Sequence, residues 1–307
     1  METFGIFALT TETRIKHQRI MEIKKPIDLE ICTLLNERLK LIEDKLNSDV
    51  FTYYGPIDDG LVPFVKKIIE DIASEEKHEK LSVILTTTGG SATAVERYVD
   101  IIRHFYKEVD FIVPDYAYSA GTIFCMSGDN IWMNYYSVLG PIDPQVRNKD
   151  GRWVPALGYL DKINELIKKA NDGTLSNAEF IILKDFDLAE LKNYEQAKEL
   201  TIELLKKWLV KYKFKNWETR ETSKTPVTDQ YKIDRAQIIA DALSNNNEWK
   251  SHGRPINIER IRALNLKIED YGEDVEIKDA IDSYYELLDD HINRNKNVAF
   301  FHTRNFI

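Results

Sequence analysis

Three short runs in this sequence combine residue types that acyl transfer requires. The first is Tyr118-Ser119-Ala120-Gly121-Thr122, set between a strand-like run and the apolar stretch Ile123-Phe124-Cys125-Met126. A serine there stands at a helix N-terminus, where the first amides lack intrahelical partners. As a nucleophile it would attack a carbonyl carbon, with Ala120 and Gly121 small enough to admit the substrate. The Ala120 amide would then face the developing oxyanion. The plain alternative is a serine that merely caps the helix. The second run, Thr86-Thr87-Thr88-Gly89-Gly90, also ends a strand and opens a helix. Paired glycines bring backbone close to a bound chain and leave amides to donate. An amide from Gly89 or Gly90 together with that of Ala120 would make an oxyanion site, each donor worth about 3 kcal/mol in the transition state. The alternative is an ordinary tight turn. The third run is Ser251-His252-Gly253-Arg254-Pro255, a histidine in a loop before a helix. It offers a base that titrates near neutrality, or a solvated side chain.

Elements that could hold these runs in place are legible around them. Apolar positions at helical spacing run from Leu29 to Leu46. Val50 to Tyr54 is rich in strand formers, and Leu61 to Ile72 is helical again. Leu81 to Thr86 and Phe111 to Val113 read as buried strands, separated by the helix stripe Val95, Val99, Ile102 and Tyr106. Asn130 to Met133 and Val138 to Ile142 follow as a third strand and a fourth segment. Strands alternating with helices at this pitch predict parallel βαβ units. From about 148 to 245 the chain is charged and helix-rich, with a polar loop at 216–228. A short helix leading into a strand is expected over 256–268, and an amphipathic helix over Ile277 to Ile292.

Composition narrows the function classes. The net charge is −9, which argues against a nucleic-acid footprint. Two cysteines, Cys32 and Cys125, make neither a disulfide framework nor a zinc site. No apolar stretch reaches the length of a membrane span, and Met1 to Lys16 lacks the apolar core of a signal peptide. The expected compartment is reducing and cytoplasmic. No cofactor is called for.

Together the runs resemble a known superfamily, that of Clp proteases, signal peptide peptidase A and serine dehydrogenase proteinases. The resemblance is strong over about 80–147 and moderate over 235–268. The nearest branch is the serine dehydrogenase proteinase type. Its Leu-Gly-Pro-Ile-Asp-Pro-Gln motif stands here as Leu139 to Gln145, and its histidine turn as Ser251 to Ile256. The resemblance implies an α/β fold, a ClpP/crotonase-like spiral of βαβ units. It is expected as a single domain over 1–307, with a helical insertion at about 148–245 and a helical tail at about 270–307. It implies a serine endopeptidase with Ser119 as nucleophile, His252 as general base and Asp143 as orienting acid. Clp proteases place these partners in the opposite order, which a triad tolerates because geometry decides. Asp143, between Ile142 and Pro144, is otherwise a turn aspartate. Signal peptide peptidases use a lysine instead. Lys184, after the apolar run Phe180 to Leu183, is the one lysine expected to be buried, with Asp185 as a second acid. The rival readings are a crotonase-like thioester enzyme and a non-catalytic scaffold of the same fold. The expected partners are a polypeptide substrate, a regulatory protein, and further copies of the chain. The last follows from the amphipathic tail and the apolar end Val298-Ala299-Phe300-Phe301, which offer surface that one domain leaves uncovered.

Overall fold

The computed structural model describes residues 26–74, 78–147, 153–220, 223–251 and 253–306. Helix α1 (Pro26–Leu46) leads into β1 (Asp49–Tyr54), followed by α2 (Val62–Ser74), β2 (Lys80–Thr86), α3 (Ala92–Phe105) and β3 (Glu108–Ile112). Next come β4 (Tyr116–Ala117), α4 (Ala120–Cys125), β5 (Asn130–Met133) and β6 (Val138–Leu139). A hairpin, β7 (Gln145–Arg147) and β8 (Trp153–Pro155), opens a helical stretch of α5 (Ala156–Asn171), α6 (Asn177–Lys184), α7 (Leu188–Trp208) and α8 (Asp229–Leu243). The chain closes with β9 (Ile256–Asn257), α9 (Ile258–Ala263), β10 (Glu269–Asp270), α10 (Val275–Asn295) and β11 (Phe300–His302).

Side-chain alternation on the strands sets the layers. Val50, Ile84 and Ile112 point to one face, where α1 and α10 cover them with Leu35, Leu39, Tyr284 and Leu288. Phe51, Tyr53, Val83 and Phe111 point to the other, against Ile69 of α2 and Val95 of α3. Leu205 and Trp208 of α7 and Ile239 of α8 belong to that second cluster. The main sheet runs β10-β5-β3-β2-β1-β11. Its neighbours are parallel except β11, which lies antiparallel to β1. The central strands β1, β2 and β3 are buried at nearly every position, as parallel strands between helical layers must be. A smaller sheet, β4-β6-β9, stands beside it.

Two expectations are corrected here. The chain's end was expected to leave apolar surface open. Instead β11 pairs with β1, and Phe301, 7 % exposed, packs its ring against Tyr53 at 4.9 Å. The amphipathic helix α10 spends its apolar face on α1 and the sheet. A chain of bonds then pins β11: His302 Nδ1 lies 2.8 Å from Tyr284 Oη, and its Nε2 lies 2.8 Å from Asn36 Oδ1. Secondly, the helix expected over 256–268 does lead into a strand, β10, but it is also preceded by a two-residue strand, because Ile256 and Asn257 pair with Leu139 and Val138 of β6. Cys125 and Cys32 are both buried.

Candidate active site

The strand-to-helix turn at Ser119 departs from a capped helix. Ser119 has φ +52° and ψ −114°, and its side chain makes no cap bond. It is buried, 6 % exposed, and no described residue hydrogen-bonds its Oγ. A non-glycine residue in that region costs roughly 1–3 kcal/mol, a strain that persists only when its surroundings enforce it. The capping reading of Ser119 is therefore set aside: the geometry spends energy to hold the hydroxyl rather than gaining it from a cap.

The enforcing contacts come from the glycine turn. Gly89 (φ +97°) lies so close that a Cβ there would meet the Tyr118 carbonyl at 2.7 Å and Ser119 Cβ at 2.9 Å. The same added atom would stand 3.2 Å from the Ala120 nitrogen, so the two turns share one small space. Ile57 clamps the glycine turn: its N–H donates to the Gly89 carbonyl and its carbonyl accepts from Ser91, both at 2.9 Å. The amides are not equivalent. Gly89 N–H donates to Thr87 Oγ1 at 3.0 Å, whereas the amides of Gly90 and Ala120 have no acceptor among the described residues.

Two threonines fix the arrangement, and sequence reasoning gave neither a role. Besides receiving Gly89, Thr87 ties the extension of β2 to β4. Its N–H donates to the Tyr116 carbonyl at 3.0 Å, and its carbonyl accepts from Tyr118 at 2.9 Å. Its Cγ2 would sit 2.4 Å from a Cβ on Gly121. Gly121 is thus small to admit Thr87, not a substrate. Thr122, fully buried, accepts the Gly140 N–H at 3.0 Å, and its Oγ1 lies 2.8 Å from the carbonyls of both Ala117 and Gly140. It ties the serine turn to the run that carries Asp143. The signal for both was present as hydroxyls flanking glycine turns, but only the fold says what they reach.

A family model described as ClpP-like SDH-type serine proteinase matches residues 57–234, which include the glycine turn and Ser119. The chain belongs to this family. Among curated proteins it is similar to two uncharacterized proteins of Methanocaldococcus jannaschii. MJ1495 is 26% identical over 66% of this chain and 56% of its own length; MJ0137 is 25% identical over 76% and 68%. The chain thus spans little more than half of the first relative. Among solved structures, the 1510-N membrane-bound stomatin-specific protease in complex with a substrate peptide aligns with TM-score 0.42 and 17% identity, covering 71% of this chain and 72% of that one.

Within this family member the other expected residues are distributed as follows. Asp143 is buried, 3 % exposed, and its Oδ1 accepts the Leu157 N–H at 3.2 Å in the first turn of α5. Burial pushes its carboxyl up to about 6, against the pull of the Leu157 amide, with nearby Asp161 raising it further. His252 lies outside the described residues, and the family match ends before it. The lysine alternative is corrected. Lys184 is exposed at the end of α6, a helix with no buried residue, and Asp185 beside it is exposed as well. A lysine base has to be desolvated, and among the described residues nothing buries Lys184. Among the described residues no group of His, Cys, Asp and Glu could hold a metal ion. No described helix is long and apolar enough to cross a membrane.

Proposed function

We propose that this chain hydrolyses peptide bonds through an acyl-enzyme on Ser119. The observation that carries this is the strained, uncapped Ser119, held against Gly89 with the Gly90 and Ala120 amides left to donate. Ser119 Oγ attacks the scissile carbonyl as its proton passes to the base. The amides of Gly90 and Ala120 receive the oxyanion, while Gly89 supplies the close approach rather than a donor. The leaving amine takes the proton from the base, and water then cleaves the ester by the same steps in reverse. The experiment that tests the whole reading is covalent labelling of Ser119 by a fluorophosphonate. Absence of labelling in the folded wild type would favour the scaffold or thioester readings.

His252 is the proposed base and Asp143 its orienting acid. A carboxyl pushed up to about 6 is ionised only above that pH, so Asp143 would orient an imidazole on the neutral and alkaline side. Activity is expected to fall as pH drops through about 6, as an apparent value of the coupled pair. His252→Ala should abolish Ser119 acylation with circular dichroism unchanged. Asp143→Asn should slow acylation and alter its acid limb. Acylation by His252→Ala at the wild-type rate would remove the histidine from the mechanism.

The cytoplasmic setting, a polypeptide substrate and a regulatory protein remain part of this proposal, as does a homo-oligomer. Support for self-association moves from the tail to α6, where Phe180, Ile181 and Ile182 are 55 %, 68 % and 52 % exposed in succession. Side chains that size seldom stay contiguous and open on a monomer. Light scattering at micromolar protein should return a multiple of the 35.8 kDa chain mass, and Ile181→Glu should reduce it. A monomeric wild type would refute the assembly.

A further inference from the structure

At the opposite pole of the sheet lies a cavity of about 820 Å³ that the peptidase reading does not use. It opens at the starts of the parallel strands, beside Glu108 of β3 and Asn130 of β5, whereas the Ser119 turn follows their ends. Its other wall comes from the segment after α7 and the run leading into β10. In a chain of net charge −9 this cavity is locally basic. Lys213, Lys215, Arg220, Arg235, Arg262 and Lys267 line it, against Glu108 and Asp129.

The acids leave much of that charge uncompensated. Asp129 is already occupied: its Oδ2 accepts from Arg103 and from the Val109 amide, both at 2.8 Å, and Lys215 ion-pairs with its Oδ1. Glu108 is exposed at the rim. Lys267 pairs with Glu269 at 2.6 Å, and Arg262 reaches Asp270 only at 4.0 Å. Among the described residues no carboxylate pairs with Lys213, Arg220 or Arg235. Lys213 donates to the Asp129 carbonyl at 3.2 Å, and Arg235 donates to the Leu264 carbonyl.

The cations are also held in place. Leu209–Lys213 is a π-helical turn at the end of α7, a widened geometry often found where a side chain is re-aimed for function. It carries Lys213 to the cavity, where burial pushes its ammonium down to about 8. The Arg220 guanidinium lies 3.6 Å from the Tyr231 ring centroid, which fixes its plane. Its Nε is buried and has no hydrogen-bond partner among the described residues. A buried, unpaired guanidinium N–H is costly, and a planar fork fits phosphate oxygens in pairs. The volume suits a ligand larger than a single phosphate.

We propose that this cavity binds a small oligophosphate anion, with Lys213, Arg220 and Arg235 as its recognition groups. The shared chemistry is a chain of phosphoryl groups, whether carried by a nucleotide or free in solution. The test is isothermal titration in EDTA with sodium tripolyphosphate, ATP and adenosine. It uses Ser119→Ala protein as well as wild type, so that its outcome is independent of the peptidase reading. Tripolyphosphate and ATP should both bind, and adenosine should not. Tighter ATP than tripolyphosphate identifies a nucleotide site; equal affinity identifies a free-polyphosphate site. The variant Lys213→Gln/Arg220→Gln should weaken both at least tenfold. Arg262→Gln, a substitution at an exposed position that leaves folding intact, should weaken them by a smaller factor. No heat and no displacement by either phosphate compound would overturn the proposal. So would wild-type affinity in both variants, or adenosine binding as tightly as ATP.

Discussion

Ser119→Ala is expected to lose fluorophosphonate labelling completely and peptide hydrolysis by a factor on the order of 10⁴ or more. The size of the effect follows from what alanine leaves behind. The Gly90 and Ala120 amides, the glycine turn and the Thr87 and Thr122 ties all stay, so peptide binding should change little. Only the atom that forms the covalent bond is gone. The loss should therefore fall on kcat, with KM nearly unchanged. Alanine at φ +52° keeps the same backbone strain, so the melting temperature should stay within a few degrees of wild type. Retained labelling in Ser119→Ala would place the nucleophile elsewhere.

Arg304→Met is expected to be the most damaging single change to stability. Arg304 Nη1 reaches Glu43 Oε1 at 2.9 Å and Asp49 Oδ1 at 2.8 Å. Both carboxyl groups are buried, at 6% and 0% side-chain exposure, at the junction of α1 and β1. Asp49 also holds Tyr106 Oη at 2.7 Å and His78 Nδ1 at 2.8 Å. Methionine would strand two acids in the interior, which typically costs about 3–5 kcal/mol. The deficit should depend on pH. Burial already raises the Glu43 carboxyl, and removing Arg304 raises it further. An acid whose folded pKa lies above its unfolded one gives most stability when protonated and loses it as pH rises. The variant's deficit should therefore be larger at pH 8 than near pH 5, measured by urea unfolding at both. A deficit below about 1 kcal/mol at pH 8, the level of an exposed pair, would show that the network is dispensable.

Much of the fold was readable because its strands are buried on both faces. Leu81 to Thr86 announces itself as an apolar run, and the glycine pair marks its end. What stayed hidden depends on distant partners. Phe300 to His302 looks like a loose apolar end because a three-residue strand carries no periodicity, and its partner β1 lies at the other end of the chain. Lys184 looked buried because four apolar residues precede it. An apolar run does not say which surface covers it, and α6 finds none among the described residues. At the serine turn, Gly89 lies against Tyr118, Ser119 and Ala120. That the Gly89 amide is already engaged does not follow from spacing, because it depends on one hydroxyl, that of Thr87.

The antiparallel pairing of β11 with β1 also sets a timetable for synthesis. The N-terminal half can emerge from the ribosome and lay down β1, β2, β3 and β5 in order, each beside a strand already made. Yet β1 keeps an unpaired flank until residues 300–302 arrive, and Asp49 and Glu43 lack their cation until Arg304 does. At 5–20 residues per second, that exposed flank stays open for roughly 10–50 seconds of translation. Throughout that interval an open strand edge is a template for a neighbouring nascent chain. On crowded polysomes residues 300–304 thus act as a latch that arrives late.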